Sequence, residues 1–259
     1  MKRDHHVNSM MLKPDADAPF WTTRYGMVKS IAANNPAARS LRHYGEWAEK
    51  EIDLLGGWIQ EGQHVLEVGG EYGAHTLWLA QAVGDSGKVY VAEPCRLAFQ
   101  LLCANVAING LGNVYTHARW LGRADEEVDA HKVPCALMHD AQPDERFSVT
   151  TVDGLGLERL DLLKSNVPGA LIDLLAGASE TLRSSRPLIY ARLTGISRAE
   201  EEVRAIKEMG YRCWAHTPYM YNPENFNNES TNIFPGCAWQ NVVAAPTESR
   251  FEFDASREL

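Results

Sequence analysis

The residues best suited to chemistry stand in one short run, Glu67-Val68-Gly69-Gly70-Glu71-Tyr72-Gly73. It follows an apolar stretch, His64 to Val68, that reads as a β-strand, and it opens a helical stretch, Gly73 to Ala82. Glycines at Gly69, Gly70 and Gly73 permit a tight strand-to-helix turn and close approach of a ligand to the main chain. The spacing differs from the G-x-G-x-x-G of dinucleotide sites, and the turn carries no Lys or Arg to seek a phosphate. A second carboxylate, Glu93, ends the next predicted strand, 20 residues beyond Gly73. An acid there can accept hydrogen bonds from both hydroxyls of a ribose. Its alternative role is to cap the helix that starts near Pro94-Cys95. His75 and Thr76, in the first turn of the glycine-following helix, either bond the ligand or cap and fill. Together these features point to an adenosine ligand that bears an amino acid, in preference to NAD or ATP.

Elements that could position such a site follow in alternation. Apolar spacing through Tyr44, Trp47, Ile52, Leu55 and Trp58 predicts a helix from Leu41 to Ile59. Strands are predicted at His64 to Val68, Lys88 to Ala92 and Asn113 to Ala118, with helices at Gly73 to Ala82 and Arg96 to Asn109 between them. The rhythm changes from Leu121 to Leu155, where two β-like runs, Val133 to Met138 and Phe147 to Val152, suggest an insertion. It resumes with a strand at Leu160 to Leu163, a helix at Ala170 to Arg183, a strand at Pro187 to Leu193 and a helix at Ala199 to Met209. Tyr211 to His216 and Ala238 to Ala244 read as a closing antiparallel pair around a long polar, aromatic loop, Thr217 to Gly236. Strands alternating with helices imply a mostly parallel sheet covered on both faces. Residues 1 to 40 read as a partly irregular arm with one short helix near Tyr25 to Ala33, residues 41 to 246 as the ligand-binding domain, and 247 to 259 as a tail.

The chain has 259 residues, 45% of them hydrophobic, enough for one sizeable core. The net charge of −9 argues against a nucleic-acid partner, which calls for a basic face. Five cysteines form no C-x-x-C pair, so a reducing, cytoplasmic setting without a zinc site is expected. No apolar run approaches the ~20 residues that span a bilayer, so no membrane partner is expected. Nothing in the pattern assigns an oligomeric state.

The ordered motifs resemble the FkbM-type methyltransferases. The resemblance runs over residues 40 to 246, through Tyr44-Gly45-Glu46-Trp47, HVLEVGGEYGAHTLWLA, VYVAEP, NVAINGLGNV, the stretch from Val149 to Leu193 and YNPENFNNESTNIF. It implies a Rossmann-like α/β fold, with a seven-stranded, mostly parallel sheet ending in an antiparallel hairpin. It implies S-adenosylmethionine as cofactor, S-adenosylhomocysteine as product and a small natural-product or sugar-like acceptor, methylated on oxygen or nitrogen. By the matching motif, Glu67, Gly69, Gly70 and Gly73 would line the methionine part, Glu93 the ribose, and Trp120 the adenine or simply the core.

Two departures bear on chemistry. After the fourth strand the family typically reads K-x-D-V-E-G-x-E, whereas this chain has Lys164-Ser165-Asn166-Val167-Pro168-Gly169-Ala170-Leu171. Gly70-Glu71 stands where Ala-Asn is common. Asn166 can orient an acceptor but cannot take a proton at neutral pH. Lys164, Asn166 and Glu46 are expected to face the pocket as catalytic groups, with Tyr44, Trp47, Tyr221, Asn222 and Asn225 on the substrate side and Tyr221 to Phe234 as a lid. The lost carboxylates leave open a SAM-consuming cyclase or lyase, or a SAM-binding protein without turnover.

Overall fold

A computed structural model describes residues 20–30, 35–133 and 145–259. Its centre is a seven-stranded sheet made of β3 (His64–Val68), β4 (Lys88–Ala92), β5 (Val114–His117), β9 (Leu162–Ser165), β10 (Leu188–Arg192), β11 (Tyr211–His216) and β12 (Asn241–Pro246). The order across the sheet is β11-β12-β10-β9-β3-β4-β5. All neighbours run parallel except those of β12, which is antiparallel to both β10 and β11. The chain starts in the middle at β3, builds outward to β5, then returns to the other side of β3 with β9. That reversal makes β3 and β9 the switch point, where open α/β sheets leave a crevice at their carboxyl ends.

One face of the sheet packs Val65, Leu162, Tyr190, Trp214 and Val243 under α2 (Glu49–Leu55) and α3 (Ala74–Val83). The other packs Leu66, Leu163, Ile189 and Val242 under α5 (Leu171–Ala176), α6 (Ser179–Ser185) and α7 (Ile196–Glu208). Strand residues buried on both faces account for the near-continuous apolar runs of the sequence. The helix α4 (Arg96–Ile108) joins β4 to β5.

Three expectations are corrected. The short helix expected near Tyr25 to Ala33 is, over its described residues, a hairpin of β1 (Trp21–Thr23) and β2 (Gly26–Val28). Gly26, at φ 129°, takes a conformation that residues with a side chain rarely adopt, and Asn105 of α4 and Asn109 at its C-terminal end pair with the hairpin as a further strand would. Asn109 and Asn105 each donate to and accept from the hairpin main chain, at Met27 and Lys29. The expected helix from Leu41 to Ile59 is two helices. The first, α1 (Pro36–Tyr44), is capped by Asn35 and ended by Gly45 in the left-handed region, and α2 starts only after Ala48. The expected helix Ala170 to Arg183 is likewise split into α5 and α6 at Gly177-Ala178.

The insertion is a three-stranded sheet of β6 (Trp120–Leu121), β7 (Glu126–Asp129) and β8 (Arg146–Thr150), ordered β6-β8-β7. Of the β-like run Val133 to Met138, all but Val133 lies outside the described residues. The insertion sits hard against the α5–α6 break: a Cβ on Gly177 would lie 2.0 Å from the Gly122 carbonyl oxygen. Backbone cannot yield as a side chain can, so Gly177→Ala should lose about 1–3 kcal/mol of stability in urea denaturation. Gly112→Ala, where no atom lies within 4 Å, should be within about 0.5 kcal/mol of the parent.

Candidate functional site

The site begins with strand register. Glu67 of β3 lies opposite Lys164 of β9, and Lys164 lies opposite Tyr190 of β10. Side chains alternate along strands, so Glu67, Lys164, Asn166, Tyr190 and Arg192 share one face. It is the face covered by α2 and α3, which bring Glu51, His75 and Thr76 onto it. The carboxyl ends of β3, β9 and β10 thus carry a layer of buried charge between two apolar clusters.

Lys164 is wholly buried and central. Its ammonium reaches Nδ1 of His75 at 2.8 Å and the side-chain oxygen of Asn166, and lies 3.7 Å from Glu67 and 3.8 Å from Glu51. Nε2 of His75 sits 2.8 Å from the Trp47 carbonyl, which can only accept, so the ring proton is on Nε2 and Nδ1 accepts from Lys164. Burial holds His75 well below its ordinary value, and the Lys164 charge pushes the same way, so the imidazole is neutral. Both ring nitrogens are engaged within the protein. Asn166 donates to Glu67 at 2.8 Å and to the Gly69 carbonyl at 2.9 Å, and Thr76 donates to the other Glu67 oxygen at 2.6 Å. Glu51 accepts from Nε of Arg192 at 2.9 Å. Burial raises the Glu51 carboxyl, but Arg192 and Lys164 more than offset this and hold it at about 2. The Arg192 guanidinium lies over the rings of Trp47 and Trp239, 5.6 and 4.4 Å from their centres. Burial lowers Lys164, while Glu67 and Glu51 act against that.

The glycine turn completes the site. A Cβ on Gly69 would stand 2.5 Å from Val167, on Gly70 2.4 Å from Val91, and on Gly73 2.8 Å from Leu102. The close approach that requires glycine here is made by the protein's own side chains. Glu71, at φ 50°, holds a left-handed backbone unusual for a glutamate. Its carboxylate is buried, and Oε2 has no hydrogen-bond partner. Burial pushes this carboxyl up to about 7, with Arg192 and Lys164 opposing. Between Trp47, Glu67, Glu71, His75 and Asn166 lies a cavity of about 10 Å³, room for roughly one water. Glu93 accepts from the amides of Glu71 and Cys95, each at 2.9 Å, and burial pushes it up to about 8 despite those bonds.

The other predicted site residues are placed apart from this cavity. Glu46 is a buried clasp: its carboxylate accepts from Arg24, from the Asn222 amide and from the backbone of Phe226, each at 2.9 Å. The Tyr44 hydroxyl donates to Thr231 and accepts from the Ile233 amide. Tyr221 packs against Tyr44 with ring centres 5.5 Å apart, and Asn225 ties the loop together at Asn222 and Glu229. The segment expected as a lid is therefore bonded to the end of α1. Trp120 is buried in β6, in a core cluster with Phe147 and Val149. His139-Asp140, a pair in the insertion whose side-chain types could serve as a base, lies outside the described residues. Among the described residues, no three His, Cys, Asp or Glu side chains are grouped to hold a metal ion.

Sequence reasoning missed Glu51 and Arg192 and gave Glu71 no role. Arg192 had a signal, a cation ending an otherwise apolar strand at the carboxyl edge of the sheet. Glu51 had none beyond lying in the acidic run after Trp47.

No protein-family model matches the chain, and no curated protein matches it. Solved structures do. The methyltransferase FkbM of Methylobacillus flagellatus KT superposes with a TM-score of 0.51 at 11% identity, over 82% of this chain and 55% of that one. This chain therefore spans about half the length of that structure, and the two share a fold. A SAM-dependent O-methyltransferase from Thermotoga maritima gives a TM-score of 0.48 at 18% identity, over 78% of this chain and 67% of that one. Aeropyrum pernix fibrillarin, with natively bound S-adenosyl-L-methionine, gives 0.46 at 12%, over 76% and 74%. Beyond the fold, no helix among the described residues is long and apolar enough to cross a membrane.

Removing one partner of a buried ion pair leaves the other charge without compensation. Arg192→Met should thus cost about 3–5 kcal/mol in chemical denaturation, and adding Glu51→Leu should recover part of the loss. Glu71 gives a pH signature. Its folded-state value near 7 exceeds the ordinary 4.5, so the folded chain keeps a proton that the unfolded chain has released, and stability falls as pH rises from about 4.5 to 7. Glu71→Asn abolishes that loss. Its stability relative to the parent should grow with pH over this window, by on the order of 3 kcal/mol in total, as followed by urea melts at a series of pH values.

Proposed function

We propose that this protein is a S-adenosylmethionine-dependent methyltransferase acting on a small-molecule acceptor. The observation that carries the reading is the pair of buried carboxylates, Glu67 and Glu93, at the carboxyl ends of adjacent strands on either side of a glycine turn. The shared fold with the FkbM methyltransferase supports it.

The donor set fits the cofactor. Each Glu93 oxygen holds one backbone amide and keeps a lone pair for a ribose hydroxyl. Glu67 and Glu71 add negative charge beside the turn, and the partnerless Oε2 of Glu71 suits a cation. The ligand would be cationic at its sulfur and at its amino group. The cavity of about 10 Å³ is far smaller than such a ligand, so binding requires its lining to shift. Trp47, in the break between α1 and α2, is a lining residue outside the sheet and its following turns.

When bound, the cofactor supplies a methyl group already activated by the positive charge on sulfur. What the protein adds is position and exclusion of water, worth up to about 7–11 kcal/mol in well-oriented systems. Lys164 holds Glu67, Asn166 and His75 in one arrangement, and Asn166, its amide engaged by Glu67 and the Gly69 carbonyl, lines the cavity with Trp47. The acidic overall charge suits a small acceptor better than a nucleic acid.

A second reading, cofactor binding without turnover, is favoured by the filled cavity and by Asn166, Pro168 and Leu171 where the family has carboxylates. Titration calorimetry with S-adenosylmethionine tests the common premise. Binding is expected, and Glu93→Ala should weaken it by about tenfold or more. Mass spectrometry on mixtures with hydroxylated or amine-bearing small molecules then separates the readings. S-adenosylhomocysteine marks methyl transfer, methylthioadenosine marks a lyase or cyclase, and neither marks a binding protein. Absence of any binding overturns the proposal.

A further inference from the structure

Glu71 accumulates three costs in one residue. Its backbone is left-handed at φ 50°, its side chain is only 8% exposed, and one carboxylate oxygen has no hydrogen-bond partner. Each of these destabilises the folded chain, and such costs collect where a group is held ready for a ligand. We propose that Glu71 recognises the charge on the cofactor's sulfur and so makes the site prefer S-adenosylmethionine to S-adenosylhomocysteine. The proposal rests on the methyltransferase reading and deepens it.

Position is the first argument. The Glu71 amide donates to Glu93, while its carboxylate lines the cavity with Glu67 and Asn166. Glu71 is thus bonded to the residue assigned to the ribose and shares the cavity with the residue assigned to the amino acid. In S-adenosylmethionine those two parts are joined through the sulfonium sulfur.

Charge is the second argument. Above pH 7, where Glu71 is ionised, the cluster holds three carboxylates, Glu51, Glu67 and Glu71, against two cations, Lys164 and Arg192, with His75 neutral. One further positive charge balances it. In a poorly hydrated cavity a close charge pair of this kind is far stronger than at the surface.

The consequence follows from the bond changes. Transfer breaks the sulfur–methyl bond and leaves its electron pair on sulfur, which becomes a neutral thioether. The acceptor's lone pair forms the new bond to carbon, and the acceptor's proton goes to solvent. Glu71 then faces a neutral atom, and the product is held less tightly than the donor.

The test is calorimetry on the full chain with both ligands between pH 5.5 and 8.5, reading the ratio of the two dissociation constants. The ligands have the same ribose and the same amino acid. Glu67 and Glu93 from β3 and β4, Lys164 and Arg192 from β9 and β10, and Glu51 and His75 from α2 and α3 meet both alike. Titration of Glu71 near 7 is the difference. Preference for the sulfonium ligand should grow by about tenfold or more as pH rises through 7. It should become flat and small in Glu71→Gln and in Glu71→Asn, whose side chain tolerates the left-handed backbone. If both ligands bind and the ratio ignores pH and both substitutions, the role of Glu71 is refuted while the methyltransferase reading survives. If neither binds the parent chain, that reading fails and this proposal with it.

Discussion

Lys164 is the point on which the structure turns. It carries a positive charge at the centre of a parallel sheet, with no exposure to water. A buried ammonium is tolerable only when surrounded by acceptors. Here they come from four directions: Glu67 on the neighbouring strand, Asn166 just past the end of its own strand, His75 at the start of α3 and Glu51 on α2. Each acceptor is in turn held by others, Glu67 by Thr76, Glu51 by Arg192 and His75 by the Trp47 carbonyl. The result ties the glycine turn, the switch point of the sheet and the N-terminal helices into one polar unit.

That unit explains why the chain before β3 is not a loose arm throughout. Tyr25 donates to Glu49, and Arg24 pairs with Glu46, which also receives Asn222 and the Phe226 amide. The hairpin, α1 and the long loop after β11 are thereby laced to each other beside Trp47. Trp47 and Trp239, edge to face with each other, both lie against the Arg192 guanidinium, so this cover and the charge cluster share a boundary. Trp47 thus touches both the buried Arg192 guanidinium and the cavity beside the glycine turn.

The carboxylates of the site divide by environment. Glu51, between two cations, is held at about 2, whereas Glu71 and Glu93 are pushed by burial to about 7 and 8. Groups of one type spread over so wide a range mark a place where charge is managed locally. Glu51 is a fixed counter-ion, whereas Glu71 and Glu93 are carboxyls whose charge burial opposes.

Local pattern by itself determined the alternation of strands and helices, the glycine turn after the first sheet strand and the acid at the end of the next. Those features depend on periodicities and turn chemistry within ten or so residues. The same local reasoning failed where distant partners overrode it. Asn105 and Asn109 pair with Met27 and Lys29 from about 80 positions away, and the Glu46 clasp ties the break between α1 and α2 to the loop after β11. The composition of the charge cluster was decided by tertiary structure alone. Glu51 meets Arg192 across 141 residues, and Asn166 meets Glu67 across 99. Strand register sets which alternate side chains share a face, and the packing of α2 sets which acid reaches them; neither is written in any single segment of the chain.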